Sequence, residues 1–417
     1  MRHAPVPDPD RDCASVTGAA ELQERAWTLQ SEGRLDEAFD ACLAALARSE
    51  AEDGAQCPDA ANLLNDLAQI ERDRQRYESA LAYAQKAQAI EFSLGDRFTG
   101  ESAVRIRAAT SSLLGELWRL RGDHARAEAH LKQALAGLIP TFGETSEEVA
   151  EARNNLGVLY KYSGQFAAAL RLYEQALRTL SAACGHLSLP VGAILHNIGG
   201  VLHAQGDFAA AEEPGRRAWE ISRRLLGDDD ATAMFDAAAY AAILDGLERY
   251  EESEPIHLRV LSFMSRTYGP DHYEVAAALH NLAAVLDLRG RPAQAEQHYR
   301  RAMAIKERLL GNASLDLALT RNNLGRLLHM TGESREAVTL LQEAVTIMEP
   351  QLPADHPHLQ AARRNLRQAQ GAGAEMGAGM SAGTGGGTGG GTGMSGFAGI
   401  EPGFLREVGA APQVQRE

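Results

Sequence analysis

The sequence predicts an all-α chain, a right-handed superhelical solenoid of eight helix-turn-helix repeats closed by a C-terminal capping helix. Three observations predict it. A turn signal recurs every 42 residues over most of the chain. Small residues recur at fixed distances after it. The composition is Ala-rich, with only 6% aromatic residues, which suits close-packed helices better than strands, where β-branched and aromatic side chains are preferred.

Taken in chain order, residues 1–18 are expected to be disordered. Met1 to Asp12 is polar with three Pro and lacks the apolar stretch of a signal peptide. The repeats occupy 19–370. Their turn positions are Gly33, Gln75, Gly122, Gly164, Gly206, Glu248, Gly290 and Gly332, in steps of 42 except for one of 47. Five residues after each lies Ala, replaced by Ser253 in the sixth repeat; twelve after lies Ala, replaced there by Val260. An amphipathic stretch precedes each turn and another follows it, as with Asn154–Tyr160 and then Phe166–Leu180. Gly164 joins the two, since glycine takes positive φ at little cost. The small residues let helix backbones approach closely. One such hairpin cannot bury its apolar face alone, whereas stacked hairpins can.

These residues together, with an aromatic such as Phe166 two after the turn, resemble the tetratricopeptide pattern. The common unit is about 34 residues; here the additional ones fall between repeats, as in Tyr268-Gly269-Pro270-Asp271-His272 and Leu352-Pro353-Ala354-Asp355-His356-Pro357. In that respect the chain resembles the long units of kinesin light chains and their bacterial relatives. β-Propeller blades and HEAT repeats have similar periods. The former need four strands per unit, which Phe208-Ala209-Ala210-Ala211-Glu212 does not supply, and the latter do not require the glycine-to-alanine spacing. The resemblance implies a non-enzymatic scaffold or adaptor whose concave groove takes an extended peptide or a partner helix. An alternative is a peptide-responsive regulator whose superhelix switches conformation.

Departures from the pattern locate expected irregularities. Arg25 makes repeat one a weak, capping unit. The long step adds five residues near Leu94–Arg105. Glu248, Ser253 and Val260 make the sixth repeat the expected place of looseness or bending. His358 to Gln370 supplies the capping helix. Residues 371–417 form an expected disordered, Gly-rich tail; 16 of the chain's 40 Gly fall there. It carries one apolar island at 397–408, with Phe397, Ile400, Phe404, Leu405 and Val408. The island is expected either to contact the chain's own repeats and gate them, or to belong to a plain linker.

The balance of 41 basic against 56 acidic residues gives a net charge of −15. It argues against binding nucleic acid or an anionic membrane by bulk charge. No run of apolar residues is long enough for a membrane span. The four Cys have no paired spacing and read as reduced thiols of a cytoplasmic protein. No catalytic constellation, cofactor motif or metal site is expected. His196 and His203 stand about 10 Å apart along one helix, too far to share an ion. His356 and His358 merely flank Pro357.

One row does suggest a site. Nine residues before the turn stand Asn155, Asn197, Asn281 and Asn323, with Asn365 at the same register in the capping helix and Ala239 interrupting. Asn is a mediocre residue inside a helix. A carboxamide both donates and accepts, so the row can grip the main chain of a bound peptide. Equally, it can bond neighbouring helices and hold the stacking. Three before the turn stand Arg72, Arg119, Lys161, His203, Asp245, Asp287 and His329. They form either a graded groove that favours an acidic segment or solvated charge at helix ends. Asn154, His196, His280 and Asn322 lie beside the Asn row; Trp118, Tyr160 and Tyr173 are expected in packing.

Overall fold

The computed structural model describes residues 18–378. The expected disorder of the N-terminus and the island at 397–408 fall on residues outside this range. Seventeen α-helices and no strand are present among the described residues.

The chain divides into two units. The first, ending at His186, holds four antiparallel hairpins: α1 (Ala19–Ser31) with α2 (Leu35–Asp53), α3 (Pro58–Asp73) with α4 (Tyr77–Leu94), α5 (Gly100–Leu120) with α6 (His124–Phe142), and α7 (Glu147–Tyr162) with α8 (Phe166–Cys184). The second, from Leu187, holds α9 (Leu189–Ala204) with α10 (Phe208–Leu226), α11 (Ala231–Gly246) with α12 (Tyr250–Tyr268), α13 (Tyr273–Leu288) with α14 (Pro292–Leu310), and α15 (Leu315–Thr331) with α16 (Ser334–Met348), then α17 (Pro357–Ala378). The last helix runs past residue 370, where the repeat region was expected to end. Within each unit, each second helix packs against the first helix of the next hairpin, and consecutive first helices touch at α3–α5, α5–α7, α9–α11, α13–α15 and α15–α17.

All eight turn positions adopt positive φ, including Gln75 and Glu248, each at 60°. The residue after each turn donates its N–H to the carbonyl four before the turn, as Gln165 does to Tyr160 at 2.7 Å and Arg249 to Leu244 at 2.9 Å. That bond closes the first helix and aims the chain into the second. The small residues that follow are all buried, among them Ser253 and Val260. The sixth repeat therefore keeps both the turn and the burial of its neighbours; its substitutions leave the hairpin geometry intact. The five added residues build a 3-10 turn at Gly95–Arg97 and lengthen α5. Phe98 is buried there, with the Arg107 guanidinium 4.8 Å from its ring and bonded to its carbonyl.

Four of the first helices start on side-chain caps at another 42-residue register. Ser146 Oγ accepts from Val149 N at 3.3 Å, Asp230 Oδ1 from Thr232 N at 2.8 Å, His272 Nδ1 from Glu274 N at 3.3 Å, and His356 Nδ1 from His358 N at 3.3 Å. These bonds satisfy donors that a helix start leaves open.

Gln75→Gly and Glu248→Gly relieve the left-handed backbone of a side chain that disfavours it. Each is expected to raise the unfolding free energy of the full chain in urea by about 1 kcal/mol. A loss of stability in both would show that the side chains, not the backbone, decide these turns.

Candidate functional site

The Asn row lies where consecutive first helices meet. In five repeats the residue ten before the turn is bonded to the next first helix. In the first unit, Gln23 Nε2 donates to Asp66 Oδ2 at 2.6 Å and Asn65 Nδ2 to Thr110 Oγ1 at 2.8 Å. In the second, His196 Nδ1 meets Asp236 Oδ1 at 2.7 Å, and Asn365 Nδ2 donates to Asn322 Oδ1 at 2.9 Å. His280 holds two residues of α15 at once. Its Nε2 accepts from Asn323 Nδ2 at 3.2 Å, which leaves Nδ1–H to donate to Thr320 Oγ1 at 3.0 Å. Thr320 in turn donates to the Asp316 carbonyl at 3.1 Å and accepts from the buried Lys306 Nζ at 3.1 Å.

Asn197, Asn281 and Asn323 are buried, and Asn155 and Asn365 half-buried. The cause is packing. Residues 194–201 of α9, 233–238 of α11 and 274–283 of α13 are buried without a break. Small side chains such as Gly199, Ala238 and Ala278 bring neighbouring helices close enough to cover that face. The stacking role of the row thus has its hydrogen bonds in place at Asn323 and Asn365. A peptide at Asn197, Asn281 or Asn323 would first have to part these helices. Sequence reasoning missed the receiving residues Thr110, Asp236 and Thr320, which share one register twelve before the turn and were open to the same arithmetic.

The charged row is largely spent within the chain. Arg72 Nη1 donates to Glu116 at 2.8 Å, linking a position three before one turn to six before the next. Asp287 and Arg326 repeat that bridge with the charges exchanged. Asp245 is buried against His257 at 2.7 Å, and His203 stacks edge-on to Phe208 with centroids 5.3 Å apart. Lys161 is buried. Arg119 lies 4.7 Å over the Tyr162 ring, which itself remains 43% exposed. Trp118 sits under the Arg126 guanidinium at 4.5 Å, Tyr160 donates to Glu128 at 2.9 Å, and Tyr173 is fully buried. No group of three or more metal-ligating side chains gathers among the described residues. No helix there is long and apolar enough to cross a membrane.

A family model described as tetratricopeptide repeat matches residues 18–90, 106–182, 235–308 and 290–349, and a second tetratricopeptide model matches 191–231. The chain belongs to the tetratricopeptide repeat family. No curated protein sequence matches it. Solved structures similar to this tetratricopeptide chain include the apo form of the quorum sensor NprR from B. thuringiensis, at 13% identity and TM-score 0.56, covering 79% of this chain and 88% of that one. The apo form of RapI is similar at 13% identity and TM-score 0.51, covering 70% and 98%. BtubC (BKLC) from P. vanneervenii is similar at 21% identity and TM-score 0.49, covering 56% and 92%. At such identities the likeness is one of fold. The tetratricopeptide fold is typically a non-enzymatic scaffold for protein interaction.

Two predictions test the row. Asn323→Ala removes a buried rung shared with His280 and is expected to cost about 1–3 kcal/mol in urea unfolding, whereas Asn155→Ala, half-exposed, should cost well under 1 kcal/mol. Equal losses would dismiss the distinction. Asp66 fills the Asn position in repeat two. Burial lifts its carboxyl to about 6, against the lowering by bonds from Gln23 and Trp27. Between the ordinary Asp value and about 6 the folded chain then holds a proton that the unfolded chain has released, so stability falls as pH rises through that window. Asp66→Asn should flatten that slope and stabilise the chain at pH 7 by on the order of 1–3 kcal/mol. A less stable variant at pH 7 would contradict it.

Proposed function

We propose that the chain is an adaptor that holds an extended peptide along the first-helix face of its first unit. One observation carries this reading. Leu120 and Tyr162, 39% and 43% exposed, stand two before the turn in successive repeats, with the Arg119 guanidinium over the Tyr162 ring. Large side chains left at the surface at equivalent positions, next to a cation, suit a peptide that alternates apolar and acidic groups. Half-exposed Asn154 and Asn155 lie two turns further along α7 and offer donors and acceptors to its main chain. The buried Asn of the second unit contribute rigidity instead. A pre-organised face spares the partner part of the ordering cost of binding.

Peptides selected from a random display library against the full chain are expected to carry acidic and apolar residues in alternation. Arg119→Ala and Tyr162→Ala should each weaken the selected peptide about tenfold in Kd, or about 1.4 kcal/mol, with unfolding midpoints unchanged. Peptides indifferent to both substitutions would place the binding face elsewhere.

A further inference from the structure

A second periodic feature occupies the second helices of the second unit. Eleven and eighteen residues after the turn stand Arg217 and Arg224 on α10, Arg259 and Arg266 on α12, and Arg301 and Arg308 on α14. The last two pairs hold the loop that leads into the first helix of their own hairpin. Arg259 Nη2 donates to the Asp228 carbonyl at 2.7 Å and lies 3.2 Å from its carboxylate, while Arg266 meets Asp229 at 3.2 Å. Arg301 Nη2 donates to the Pro270 carbonyl at 3.3 Å, and Arg308 meets the Asp271 carboxylate at 3.2 Å. Each pair therefore grips one carbonyl and the carboxylate of the following residue.

The α10 pair has no such ligand. The position of Asp229 and Asp271 is taken in this repeat by Leu187, which is 44% exposed. The side chains of Arg217 and Arg224, unlike those of Arg216 and Arg223, make no hydrogen bond or ion pair among the described residues. The two are seven residues apart on one helix, hence about 10 Å along the axis.

We infer that Arg217 and Arg224 form a docking site for an acidic extended segment of a partner protein. The partner supplies the carboxylate that the chain supplies for itself in the next two repeats. One acidic residue lies on Arg224, and the carbonyl of the residue before it lies on Arg217, as in the two pairs of the later repeats. Charge complementarity supports this site, and the same two positions ligate carboxylate and carbonyl twice elsewhere in the unit. The site is independent of the first-helix face of the first unit.

The test uses the full chain and a fluorescein-labelled peptide with the sequence of its own loop, Leu226 to Ala231, measured by anisotropy at low salt. Arg217→Ala with Arg224→Ala is expected to weaken binding about fivefold to tenfold. The same peptide with its three Asp replaced by Asn should bind no better to the wild-type chain than to that variant. Leu187→Asp restores the loop carboxylate, so it should also weaken the peptide while leaving both arginines in place. Arg259→Ala with Arg266→Ala, whose cations are already engaged, should change peptide binding less than twofold. Binding that is equal in the wild type and the Arg217→Ala, Arg224→Ala variant overturns the proposal. So does peptide binding that Leu187→Asp leaves unchanged.

Discussion

The structure depends on how closely two helix backbones can approach. Each second helix presents small residues five and twelve after the turn, two turns apart on one face, and all of them are buried. Nothing larger than Val260 is admitted. Because those contacts fix each hairpin, the side chains of successive first helices meet at constant offsets. A group ten before one turn then faces groups nine and twelve before the next. The polar rungs from Asn65 to Thr110, from His196 to Asp236 and around His280 follow from this spacing. Each gives buried polar side chains a partner, which low-dielectric surroundings make worthwhile, although Asn65 Oδ1 and His196 Nε2 have no hydrogen-bond partner among the described residues.

Inside a hairpin, size is traded across the interface. A β-carbon on Gly157 would lie 2.6 Å from the Tyr173 ring, and one on Gly325 would lie 2.8 Å from Leu341. The same two positions carry Ala283 and Tyr299, or Ala241 and His257, elsewhere. In the fifth repeat both are glycine, Gly199 and Gly215. The space is filled by Ile243 from α11, whose Cδ1 would be 2.5 Å from a β-carbon on Gly215. An unfilled gap of that size would cost free energy in proportion to its volume, so the third helix completes the packing of the pair.

The turns and the small-residue positions were legible because their demands are local. Backbone sterics and backbone proximity recur wherever the hairpin recurs, and even Gln75 and Glu248 obey the register. The Asn row was legible as a row, but not its setting. Whether Asn281 looks outward or inward is decided by Ala238, Ala278 and other small side chains on neighbouring helices, and no offset within one repeat reports that. The expected charge gradient was misleading for the same reason. Arg72 and Asp287 differ in sign, yet both are neutralised by the opposite charge six before the next turn. The caps and the second-helix arginines were within reach of the sequence. Ser146, Asp230, His272 and His356 share one register, and the six arginines share two.

A repeat protein offers its own control for deciding which side chains serve structure. At any register, the partner used in most repeats shows what the position does for stacking, and the repeat that lacks the partner shows where a foreign group fits. Asp287 with Arg326 is explained by Arg72 with Glu116, so neither pair needs a ligand. Arg259 and Arg266 are explained by Asp228 and Asp229, but Arg217 and Arg224 have Leu187 at the equivalent loop position and are not. Tyr162 and Leu120 differ, since their register is left at the surface in other repeats too, with Met330 63% exposed there; what singles them out is that large side chains stand there in successive repeats. Binding in such a chain falls where the periodic interactions are interrupted, since there an added contact displaces nothing that holds the hairpins together.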